Sequence, residues 1–294
     1  MFSSQRFFRL KKKFLRVIND MKRDKKTYIG GIIILLILSA ALFAPFLAPH
    51  NPYETNVLQR LEGPSFTHPL GTDSVGRDLL SRLIYAARPA VYVSFGGLFI
   101  SIFTGMVLGT IAAYNGGIID NLIIFIFDVI RAFPPIILIL VLLAVTGPSL
   151  ANVIIILGIT IMPRYGRVVR AETLSEKEED YVEAARSLGA DSSRIIFKHI
   201  VPNIFASVLV LGGMDMATMI MWEAGLSFLG LGIQPPGSSW GLMLQDGYQY
   251  VQAAPHMIVW PALAIILTML GFSLFAESLR IALNPRTSRE GEKR

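Results

Sequence analysis

The 294-residue chain contains no cysteine, which excludes disulfides and thiolate metal sites. Charge is also scarce: 16% of residues are Asp, Glu, Lys or Arg, against about 25% in an ordinary soluble domain. No G-x-x-x-x-G-K-[ST] phosphate loop occurs, so the chain has no such backbone cradle for ATP. Neither a Ser-His-Asp arrangement nor a metal-ligand spacing is present. The four histidines, His50, His68, His199 and His256, read as isolated residues at loop or span edges. These absences argue against an enzyme with its own nucleophile or metal.

Apolar residues are abundant instead, at 53% of the chain with a mean hydropathy of +0.54. A helix crossing a bilayer needs about 20 such residues, because the hydrocarbon is about 30 Å thick and each residue rises about 1.5 Å. Six stretches qualify: 28–47, 91–113, 122–145, 150–162, 204–229 and 257–275. The third carries Asp128 and Arg131, and the fourth is short without flanking residues. The predicted fold is an all-α, polytopic integral membrane protein with six transmembrane helices.

Basic residues outnumber acidic ones by 27 to 21, but their placement points to a membrane and not to nucleic acid. Ten of the 27 lie at or before Lys26, directly ahead of the first span. Lys and Arg are retained on the cytoplasmic side, so the N-terminus is expected inside. With six spans the C-terminus is inside too, and Arg280, Arg286, Arg289, Lys293 and Arg294 agree. The expected location is the cytoplasmic (inner) membrane. The first span exceeds the roughly 7–15 apolar residues of a signal peptide, so it reads as a retained anchor. The expected organisation is a basic arm at 1–27 drawn to anionic membrane lipid, the first span at 28–47 and an extracytoplasmic segment at 48–87. A core at 88–279 with a cytoplasmic loop at 163–203 follows, then a tail at 280–294.

The outer segment contains HPLGTDSVGRDLLSRLIYAAR, residues 68–88. Gly, Pro and Asp mark a turn, and Leu79, Leu80, Leu83 and Ile84 then share one helix side. Asp73 and Asp78 are placed to neutralise Arg77, Arg82 and Arg88. Gly105 and Gly109 form a small-xxx-small pair that lets helices approach closely in lipid. Trp240, Tyr248 and Tyr250, in an outer loop without Lys or Arg, suit the water interface.

The inner loop is charged but obeys helix grammar. Asp180 with Glu183 reads as an Asp version of the capping box. Tyr181, Ala184, Ala185 and Leu188 make an apolar stripe, and Gly189 is a natural stop. A second start at Asp191 or Ser192 runs through Ile195, Ile196 and Ile200 until Pro202. The result is a short helical hairpin, built either as a solvated connector packed on its own spans or as an element held by another protein.

EAA at 183–185, Gly189 and IVP at 200–202 resemble the EAA loop of ABC-importer permeases, with Val201 where Leu is more usual. HPLGTDSVGRDLLSR (68–82), RAETLSEKEEDYVEAARSLGA (170–190) and SFLGLGIQPPGSSWGLML (227–244) are similar to the C-type permease subunit of peptide and nickel importers. The resemblance implies the binding-protein-dependent permease fold. It also implies that Tyr181, Glu183, Ala184, Ala185, Arg186, Gly189 and Pro202 belong to a coupling helix seated in a cytoplasmic ATPase. The implied partners are a second, homologous permease in a heterodimer, two ATPase subunits and an extracytoplasmic substrate-binding protein. No cofactor is expected on this chain, since ATP and Mg²⁺ would be held by the ATPases. The implied function is import of di- or oligopeptides by alternating access, with nickel or a small solute such as glutathione as the runner-up. A different class, the ion-coupled secondary transporter, would use an intramembrane carboxylate as proton carrier.

Charges inside spans are functional candidates because burying them is costly. Asp128, Arg131, Asp215 and Glu223 are therefore candidates for the translocation path. Asp128 and Arg131 are expected to share a helix face and to pair. The family's arginine three residues before this Asp is replaced here by Phe125.

Overall fold

A computed structural model describes Met21 and residues 24–283; most of the basic arm and residues 284–294 of the tail lie outside the described residues. Among the described residues every regular element is helical. The chain runs α1 (Lys25–Leu42), α2 (Ala44–Leu47), α3 (Leu79–Tyr85), α4 (Ala87–Asn115), α5 (Gly117–Ala132), α6 (Pro135–Thr146) and α7 (Leu150–Lys177). Then follow α8 (Asp180–Ser187), α9 (Ser192–Ile195), a π-helical turn at Ile196–Ile200, α10 (Val201–Phe228), α11 (Trp240–Tyr248) and α12 (His256–Leu283). Among the described residues five helical segments are long and apolar enough to cross a bilayer, and α5 with α6 makes a sixth if the bent pair is counted as one span.

That bent pair corrects the expectation of one straight span over 122–145. The helix stops at Ala132 and restarts at Pro135, with a 90° change of direction. The cause is local: Pro135 lacks an N–H and disfavours helical backbone at Pro134 before it, so two consecutive prolines break the ladder. The short fourth span is corrected in the opposite sense. Its helix begins at a Ser149 cap, which accepts from the Asn152 amide at 3.1 Å, and continues to Lys177. Residues assigned to the cytoplasmic loop thus extend the span.

α4 and α7 make the most extensive helix pairing among the described residues. Glycines allow it. A Cβ at Gly105 would stand 2.6 Å from the Tyr165 Cβ and 2.9 Å from the Gly166 amide, closer than atoms tolerate. In lipid, where no hydrophobic gain separates helix from tail, such close backbone contact drives association. Ser101 adds a hydrogen bond to the Gly158 carbonyl at 2.8 Å. The same device joins α1 to α12: a Cβ at Gly30 would meet the Gly271 carbonyl and the Phe275 amide, both at 2.8 Å. The rest of α1 leaves Ile32, Leu35 and Leu36 exposed, as suits a helix bathed in hydrocarbon.

At one end of the bundle, Leu79, Ala86, Trp240, Met243, Met257 and Phe272 form one buried cluster that joins α3 and α11 to the spans. Trp240 is therefore a core residue and not an interfacial one: it is 2% exposed and its Nε1–H donates to the Leu83 carbonyl at 3.1 Å. At the opposite end Tyr165 and Val169 of α7 pack with Val182, Ile195, Ile200 and Ile204. The underside of the hairpin belongs to the core.

Candidate functional site

The hairpin turns at Gly189, whose φ of +80° lies in the left-handed region; a side chain there would be strained. The Gly189 amide donates to the Arg186 carbonyl at 3.0 Å and closes α8. The expected cap is displaced by one residue. Glu179, not Asp180, is the N-cap and makes no side-chain capping bond, while Asp180 and Glu183 sit in the first turn, where their charge suits the helix dipole. Pro202 occupies the first turn of α10, the position where its missing N–H costs nothing.

The expected apolar stripe divides in two. Val182 is the fully buried residue of α8, with Tyr181 and Ala185 half-buried. Ala184, Glu183 and Arg186 are exposed, and Leu188 is 88% exposed. The hairpin thus grips its own spans with one side and presents a small apolar and charged surface on the other.

Tyr181 fixes it in place. Its hydroxyl donates to Glu176 Oε2 at the end of α7, and Asn203 Nδ2 of α10 donates to the Tyr181 hydroxyl at 2.7 Å and to Glu176 Oε2 at 3.1 Å. Lys177 Nζ donates to the Tyr114 carbonyl at 3.0 Å and lies over the Tyr114 ring. α8 is therefore tied to α7 and α10, and the foot of α7 to the foot of α4.

Above this knot, α7 carries Arg164, Arg167 and Arg170 on one face. Arg164 pairs with Asp215 of α10, Arg167 with Asp128 of α5, and Arg170 with Asp120 of α5 through two bonds of 2.6 Å. Asp128 is thus bound by Arg167, which corrects the expected pairing with Arg131. The four path candidates do not form one group. Asp215 is buried and also accepts from the Tyr165 hydroxyl at 2.7 Å; Glu223 is buried and accepts from Ser227 Oγ at 2.7 Å. Asp128 and Arg131 remain exposed on α5. Asp120, Asn121, Ile124, Arg167 and Arg170 line a cavity of about 340 Å³ beside the ladder. Sequence reasoning missed these arginines as a set; the signal was RYGRVVR, with arginine every third residue.

A second polar group lies at the end that holds α3 and α11. Asp73 takes Arg77 at 2.6 Å and Arg82 at 3.4 Å, and Asp246 of α11 lies 3.6 Å from Arg77. Burial pushes the Asp246 carboxyl above its ordinary value, against the pull of Arg82 and Arg77. Asp73 does neutralise its neighbours, but Asp78 does not: it caps α3 and binds His68 and Ser81. Arg88 instead donates to the Ala41 carbonyl at 2.9 Å.

Residues 105–289 match the family described as binding-protein-dependent transport system inner membrane component, and residues 14–64 match the N-terminal transmembrane domain of oligopeptide transport permease C. The chain belongs to the binding-protein-dependent permease family. It is 42% identical over 91% of its length, and 88% of the relative, to the dipeptide transport system permease protein DppC of Alkalihalophilus pseudofirmus. It is 39% identical to the glutathione transport system permease protein GsiD of Pectobacterium atrosepticum, covering 87% of this chain and 86% of that one. With the oligopeptide transport system permease protein OppC of Bacillus subtilis it shares 36% identity over 95% of this chain and 92% of that protein. A chain of the MetNI methionine ABC transporter, solved in inward-facing form, superposes with a TM-score of 0.54 at 21% identity, over 69% of this chain and 97% of that one; it shares the fold. The permease is accordingly a multi-pass inner-membrane protein of an all-helical class.

Proposed function

We propose that this permease is the transmembrane subunit of an ATP-driven importer of di- or oligopeptides, coupled through α8 to separate ATPase subunits. The observation that carries the coupling role is the division of α8: Leu188 stands 88% exposed on one side while Val182 is buried on the other. A surface apolar residue at a turn, on a helix knotted to two spans, suits a handle that another protein grips and moves. Tyr181, Glu183, Ala184, Ala185, Arg186 and Gly189 form that handle, with Pro202 setting the start of α10. ATP and Mg²⁺ belong to the partner subunits, a substrate-binding protein delivers the peptide from outside, and a homologous permease completes the path. Both termini face the cytoplasm. Peptide is preferred over other cargo because relatives named for dipeptide and oligopeptide transport flank the glutathione ones in similarity; glutathione is itself a peptide.

The test is uptake into vesicles bearing the assembled importer. Gly189→Pro and Leu188→Asp are expected to lower ATP-driven peptide uptake at least tenfold while the chain still inserts. Undiminished uptake by both variants contradicts coupling through α8. Uptake that follows a pH gradient without any ATPase supports the secondary-transporter class instead.

A further inference from the structure

Two histidines that stand apart in the sequence meet at one carboxylate on the outer side. His68 Nδ1 lies 2.9 Å from Asp78 Oδ1, and His50 Nδ1 lies 3.7 Å from Asp78 Oδ2. The imidazole centroids are 4.8 Å apart, tilted by 36°, and one donor atom from each of the three residues lies within 4.8 Å of the others. The expectation that these histidines are isolated is corrected by the fold.

We propose that His50, His68 and Asp78 form a binding site for a divalent transition metal of zinc type. Two neutral imidazoles and a carboxylate are a donor set suited to Zn²⁺, which is held at about 2.0–2.2 Å by such ligands in tetrahedral geometry. Two such bonds span at most about 4.2 Å, so the cluster needs only a small inward shift of His50 to close on an ion. The fourth position is left to water.

The ligands are positioned from behind. Ser81 Oγ and the Ser81 amide donate to Asp78 Oδ2 at 2.7 and 2.8 Å, and the His50 amide donates to Ser81 Oγ at 3.0 Å. The His68 amide donates to Ser65 Oγ at 3.0 Å. Outer-shell bonds of this kind fix ligand orientation in metal sites. The side chains of Asp78 and His68 are 1% and 10% exposed, whereas His50 is 42% exposed, which opens one side to an arriving ion. Capping of α3 by Asp78 accounts for the bond from the Ser81 amide; it gives no reason for two imidazoles beside the same carboxylate.

An ion here would tie the segment just after α2 to the start of α3, and through it to α4. The experiment uses the full chain without a polyhistidine tag, in lipid nanodiscs, stripped with chelator and titrated with Zn²⁺, with Co²⁺ as a spectroscopic probe. One equivalent is expected to bind, to raise the unfolding temperature, and to give Co²⁺ d–d bands of a nitrogen- and oxygen-ligated centre. His50→Gln and His68→Gln are each expected to weaken binding at least tenfold; half-exposed His50 makes the first variant safe for folding. The proposal is overturned if the wild-type chain binds no Zn²⁺, or if His50→Gln binds it as tightly as wild type.

Discussion

Asp215 shows how a single residue is read differently once its neighbours are known. In sequence it is a charge stranded in an apolar span; in the fold it is buried and accepts from Tyr165 and Arg164. The carboxylate is satisfied, so its main work is to hold α10 against α7. Asp215→Leu should leave the buried Tyr165 hydroxyl without an acceptor, a loss of about 1–3 kcal/mol read as a lower unfolding temperature in nanodiscs. Adding Tyr165→Phe should restore part of that loss, because the orphaned hydroxyl goes with it, although Tyr165→Phe alone should destabilise. Additive losses would contradict the hydrogen bond as the coupling between the two positions. Residue by residue, what could be read from sequence was what local chemistry dictates. Gly189 was legible because a helix stop favours a residue free to adopt positive φ. The partners of Arg164, Arg167 and Arg170 were not, because each carboxylate lies about forty to fifty residues away and only the tertiary fold brings it close.

At the scale of elements, the long apolar helices could be read directly, since the bilayer imposes their length. Breaks within them were harder. FPP at 133–135 interrupts α5 and α6, yet both flanks are apolar, so hydropathy ran on across the bend. α7 deceived in the reverse direction: its arginines looked soluble, but paired on one face they continue a helix to Lys177. The hairpin is the element where sequence pattern served best, although the stripe assigned to one face divides between core and solvent. Tyr181 joins it to α7 and α10, and Tyr181→Phe removes the hydroxyl that Glu176 and Asn203 share. That variant is expected to keep ATP hydrolysis by the assembled importer while lowering peptide uptake several-fold, as a slack linkage would. Equal losses in hydrolysis and uptake would place Tyr181 in the ATPase contact itself, and no loss would show that the knot is not needed.

For the whole molecule, polar chemistry is concentrated at the two ends and along one face of α7, with close-packed glycine crossings between them. One end joins the loops around α3 and α11 through Asp73, Arg77, Arg82 and Asp246. The opposite end carries the hairpin. Tyr181 ties α8 to α7 and α10, and α7 is bonded to α5 by two arginines and packed on α4 by glycines. On the proposed coupling role, a push on α8 would reach several spans at once. The most direct test exploits the missing cysteine: a single Leu188→Cys or Ala184→Cys is the sole thiol of the chain. In native membranes a thiol-to-amine cross-linker placed there should capture a nucleotide-hydrolysing subunit, and from Phe66→Cys, exposed at the opposite end, it should not. Failure to capture any such subunit from either hairpin position, or equal capture from Phe66, would contradict the handle.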